Sequence, residues 1–129
     1  MTYQDILNAS LRMVCEGTWN NSYYKDYTER APYILASFLS HCAPLEAKYR
    51  RANGLEEAVP FEGVTVTMTD AFHLPSIFCT AAIFYLSAML TIEESEEMSD
   101  KYFAHCSDEL SRIESNLPMT IEPIVNRYA

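Results

Sequence analysis

From His73 to Ile92 the chain reads HLPSIFCTAAIFYLSAMLTI, without an acid, a lysine or an arginine. Within it Leu74, Ile77, Phe78, Ala81, Ala82, Tyr85, Leu86, Met89 and Leu90 recur at helical spacing, which predicts one apolar helix face. Cys79, Ile83, Phe84 and Ala88 fill other faces, so the predicted helix is apolar almost all round. A soluble domain buries such a helix centrally or covers its second face with another subunit. Pro75 sets the start, leaving Ser76 to Ile92, about 25 Å of helix. That is short of the roughly 30 Å of a bilayer's hydrocarbon. The flanks are acidic, with no basic cluster to orient a span. No membrane crossing is expected.

The remaining patterns are also helical. Thr2 with Asp5 predicts an N-cap. The stripe Ile6, Leu7, Leu11 and Val14 predicts a first helix, ended by Gly17. Asn20-Asn21-Ser22 offers the next cap. Tyr27, Ala31, Ile34, Leu35, Phe38, Leu39, Cys42 and Leu45 then predict a long second helix, bent at Pro32 and Pro44. Asn53-Gly54 stops it. Val64 to Met68 alternates apolar and polar residues, a strand-like signal without a partner strand. It reads as extended chain across the helices or as an edge pairing with another copy. Ser95 caps a last helix bearing Met98, Tyr102, Phe103, Cys106, Leu110, Ile113 and Leu117. Pro118 ends that helix, and the short acidic link before it implies an antiparallel hairpin. The expected fold is therefore all-α: a bundle of four to five helices over residues 1–129. It contains a short extended or β segment around 63–68, a hairpin over 76–117, and a C-terminal docking tail over 119–129.

Charge narrows the function. The 18 acids against 9 basic residues give a net charge of -9. Between Arg51 and Lys101 there is no lysine or arginine, while Glu56, Glu57, Glu62, Asp70, Glu93, Glu94, Glu96, Glu97 and Asp100 all fall there. Such a surface repels phosphate backbones, so sequence-specific nucleic-acid binding is not expected. The bland account, a solvated face that keeps the protein soluble, covers the same residues. The opening MTYQDILNAS lacks the charged and apolar regions of a secretory signal. The four scattered cysteines are expected to be reduced thiols in a cytosol.

Chemistry-bearing patterns are sparse. His41-Cys42 and His105-Cys106 suggest metal ligands, but neighbours on a helix point about 100° apart, and zinc sites draw on close-spaced pairs. A core cysteine beside a surface histidine is the simpler reading, so neither metal nor cofactor is expected. No nucleophile elbow surrounds a serine or cysteine, and no glycine-rich phosphate loop occurs. The carboxylates at 93–97 read as a solvated cap and turn. Tyr23, Tyr24, Tyr27 and Tyr33 alternate with charges of both signs and read as an interface or core stripe. The chain is expected not to be an enzyme.

The order of these features resembles a family. The extended VPFEGVTVTMTDAFHLP, the helix LPSIFCTAAIFYLSAML, the turn TIEESEEMSDKYFAHCSDEL and the closing LPMTIEPIVNRY are similar to the small helical head–tail connector (adaptor) proteins of tailed bacteriophages and prophages. YKDYTERAPYILASFLSHCAPLEAKYR resembles that family's second helix more weakly. Ile83, Phe84 and Tyr85 depart from the pattern, which favours smaller residues there. The resemblance implies a non-enzymatic virion protein that forms a homo-oligomeric ring and docks between the portal and tail or stopper proteins. It implies residence in the bacterial host cytoplasm during assembly, then in the virion neck, without secretion. It makes Ile121, Ile124 and Tyr128 candidate docking contacts. The competing reading is a small cytosolic helical protein-binding module of an unrelated pathway.

Overall fold

The computed structural model describes residues 1–14 and 21–117. Among them the fold is all-α: α1 (Tyr3–Val14), α2 (Asn21–Ala52), a 3-10 turn (Ser76–Phe78), α3 (Cys79–Thr91) and α4 (Glu96–Ser115).

α1 starts through the reciprocal cap that Thr2 and Asp5 encode. Thr2 Oγ1 accepts from the Asp5 amide at 3.2 Å, and Asp5 Oδ2 accepts from the Thr2 amide at 2.9 Å. A helix start leaves further amides without intrahelical acceptors. Here Tyr3 N–H donates to the Asp70 carbonyl at 3.2 Å and Gln4 N–H to the Met68 carbonyl at 2.9 Å. Phe72 N–H returns to the Met1 carbonyl at 2.9 Å. Residues 66–72 thus form a strap over the start of α1.

That strap corrects the strand reading of this segment and agrees with the other, extended chain across the helices. No strand forms among the described residues; an isolated antiparallel bridge joins Thr2 and Ala71. Val66 is buried and Met68 half-buried, so the alternation places two apolar side chains inward, whereas Val64 is 78% exposed. The segment's backbone groups go to helices instead of a ladder, Val66 N–H donating to the Pro32 carbonyl at 3.2 Å.

α2 runs unbroken through Pro32 and Pro44. Each proline removes an amide donor at a cost of about 3 kcal/mol. Against this, Ile34, Leu35, Phe38 and Leu39 are all buried, at roughly 1.5–3 kcal/mol each. Packing outweighs the two breaks. Gly54, at φ 65°, then turns the chain, and Leu55 N–H closes onto the Arg50 carbonyl at 2.9 Å.

α3 packs against each of the other three helices. Its covered surface carries small residues, Ala81, Ala82, Ser87 and Ala88, with Leu86 and Leu90, and Phe78 of the preceding turn is buried as well. Small side chains let neighbouring backbones approach closely. Ser10 Oγ and Ser87 Oγ meet at 2.7 Å where α1 crosses α3. Ile83, Phe84 and Tyr85 are half-buried, so the described residues do not fully cover the bulky side of α3. Ile77, expected on the covered stripe, is 45% exposed. It sits in the 3-10 turn, whose three-residue period rotates it off the α-helical face.

α3 and α4 lie antiparallel, with Ala88 opposite Ser99, Tyr85 near Phe103 and Phe84 near His105. Ser99 Oγ donates to the Ala88 carbonyl at 2.8 Å, and Ser95 Oγ caps α4 by accepting from the Met98 amide. Tyr102 Oη donates to the Met13 carbonyl at 3.1 Å, fastening the far end of α1. No helix among the described residues is long and apolar enough to cross a membrane.

Candidate partner-binding groove between α2 and α4

α3 sits between α2 and α4 and holds them apart along part of their length. The gap is a groove of about 480 Å³. α2 contributes His41, Cys42, Leu45 and Lys48; α4 contributes Phe103, Cys106, Leu110 and Glu114. Both sets follow the three-and-four spacing of one helix face. Pro44 lies on the same wall and cannot donate to the Ser40 carbonyl.

Tyr85 of α3 belongs to the lining and sets its aromatic end. Its ring centroid lies 5.2 Å from Phe38, 6.2 Å from Phe103 in edge contact, and 6.3 Å from His41, nearly parallel. Its hydroxyl is 3.1 Å from Ser37 Oγ. At the opposite end Lys48 Nζ and Glu114 Oε1 pair across the rim at 3.4 Å. Both side chains are largely exposed, so the pair contributes at most about 1 kcal/mol and opens readily.

The two thiols are chemically quiet. Burial pushes Cys42 up to about 12, with Cys106 and Glu46 nearby adding to the shift. Burial pushes Cys106 up to about 11. A nucleophilic cysteine needs the thiolate, and at neutral pH both stay protonated. The helical rotation separates each His-Cys pair. The cysteines turn inward, while His41 lies on Tyr85 and His105 stacks on Phe84 at 5.0 Å. Among the described residues no three His, Cys, Asp or Glu side chains are grouped to hold a metal ion.

A second hollow, about 440 Å³, lies at the C-terminal end of α2 beside Arg50, Arg51 and Leu55. Arg50 already pairs with the buried Glu46 at 2.9 Å and reaches the Glu56 carbonyl at 3.4 Å. The helix's C-terminal carbonyls also disfavour an anion there.

Of the tyrosine cluster, Tyr27 is buried and donates to Glu94, while Tyr33 is 60% exposed. The candidate docking residues Ile121, Ile124 and Tyr128 lie outside the described residues, as does the whole tail 119–129. Reading the sequence alone misses the groove. Leu45 and Leu110, both on apolar stripes that predict burial, are only half-buried because they line it.

No family model matches the chain, and no curated protein or solved structure matches it.

Proposed function

We propose that this chain is a non-enzymatic structural protein of a tailed bacteriophage or prophage. In this reading it is a head–tail connector (adaptor) that docks between portal and tail or stopper proteins. The observation that carries a protein-docking role is the open α2–α4 groove. It is apolar along its walls, polar at its rim, and lined by thiols held protonated. Such a surface suits an apolar segment of another protein. The half-covered Ile83, Phe84 and Tyr85 suit a neighbouring subunit, as a homo-oligomeric ring requires. The connector identity itself rests on the sequence resemblance. In it the helices form a bundle whose tail, through Ile121, Ile124 and Tyr128, reaches the adjoining proteins. The acidic run between Arg51 and Lys101 would let DNA pass a channel without adhering.

Mixing the purified chain with its portal protein and imaging the product by negative stain tests this. Rings bearing the chain in stoichiometric amount are expected. A chain that stays monomeric and never joins the portal would refute the connector role. The groove is complete within one chain, which favours the second reading, a cytosolic helical protein-binding module, should that experiment fail.

A further inference from the structure

The groove has a candidate occupant within the sequence itself. It follows α4 from Phe103 to Glu114, and α4 ends at Ser115. The chain therefore leaves the described residues at Leu117, one helical turn beyond the groove's charged end. Next comes Pro118, which stops a helix, and then Met119 and Thr120. Ile121, Ile124, Val125 and Tyr128 follow at i, i+3, i+4 and i+7, the anchor spacing of a helix laid in an apolar groove.

The lengths agree. Phe103 to Leu110 spans seven residues of α4 and Ile121 to Tyr128 spans seven of the tail, about 10 Å each at helical rise. A reversal over residues 118–120 would set Ile121 beside Lys48 and Glu114, and Tyr128 at the aromatic end beside His41. We infer that residues 121–128 fold back into the α2–α4 groove of their own chain, with these four apolar side chains against its walls. This does not rest on the virion reading. It concerns one chain alone and holds or fails whatever that chain's partners are. Its consequence is that groove and tail compete. A partner that takes one must first free the other, so the isolated protein is held in a self-occupied state.

The test places the photoreactive p-benzoylphenylalanine at position 128 of the full-length chain, irradiates dilute protein, and maps the products by mass spectrometry. Crosslinks within one chain to residues 41–45 and 103–107 are expected, with a yield unchanged over tenfold dilution. Ile124→Asp, which would bury a charge against an apolar wall, should lower that yield at least about tenfold. This variant alters no residue of the helical fold described above. Crosslinks to another face overturn the proposal, as do none at all. Products joining two chains, with a yield that falls on dilution, also overturn it by making a second copy the occupant.

Discussion

The Ser10–Ser87 pair at the α1–α3 crossing allows a prediction with an unusual sign. Both residues are fully buried, and their hydroxyl oxygens are 2.7 Å apart. Ser87 Oγ also donates to the Ile83 carbonyl at 2.8 Å. A hydroxyl has one hydrogen, so Ser10 is the donor of the pair and Ser87 the acceptor. Ser87→Ala then leaves a buried O–H without that acceptor, at about 1–3 kcal/mol. Alanine's better helix propensity returns about 0.5 kcal/mol. Ser10→Ala leaves the Ser87–Ile83 bond intact and costs less, about 0.5–1 kcal/mol net. In the double variant no polar group remains at the crossing, and stability should return to within about 0.5 kcal/mol of the parent. Urea unfolding measures this as midpoint shifts at constant m-value, and the cycle isolates the coupling. If the two single costs simply add in the double variant, the coupling is refuted, and if Ser10→Ala costs more than Ser87→Ala, so is the assignment of donor and acceptor.

The other predictions concern the ends and the groove. Burial raises both groove thiols, so the folded state holds their protons more tightly than the unfolded chain. That contribution is complete below the ordinary thiol value near 9 and is lost as the pH rises toward about 11 to 12. Cys42→Val should flatten this alkaline decline in urea titrations run from pH 8 to 11. Arg50→Met strands the carboxylate of Glu46, whose side chain is 4% exposed. The cost should be about 2–3 kcal/mol, below the usual cost of breaking a buried pair because the guanidinium retains some solvent. Adding Glu46→Met should recover most of it by thermal unfolding. Gly54→Ala meets no atom within 4 Å but must hold φ +65°, so circular-dichroism melts should show a loss of about 1 kcal/mol, purely from the backbone.

What could be read in the sequence was decided over a few residues of chain. Thr2 and Asp5 form their cap, Gly54 ends α2 and Ser95 begins α4, each through contacts within a turn or so. The strand at 63–68 failed because pairing is decided at long range. Val66 and Met68 alternate as a strand would, but their backbone partners lie on helices, the Pro32 carbonyl within α2 and the Gln4 amide at the start of α1, which offer single groups and no ladder. The course of α2 through two prolines depended on how much its apolar face would bury, which the sequence hinted at through the length of the stripe. The groove left almost no local mark. It is a gap whose width depends on the bulk of Tyr85 and on where α3 holds its neighbours, and neither is written in the residues that line it.

The two fastenings of α1 also govern when the chain can fold. Its first turn donates amides to Met68 and Asp70, and its last offers the Met13 carbonyl to Tyr102. During synthesis α1 emerges first, yet its start lacks acceptors until residue 70 follows and its end lacks a donor until residue 102 follows. Isolated helices of about twelve residues are marginal in water, so α1 has to wait for most of the chain. Docking α1 should be a late step that closes long loops, and its reversal should be the easiest opening of the native state. Hydrogen exchange would register this as amides of Tyr3 and Gln4 exchanging together with the interior of α1 and well before those of α3.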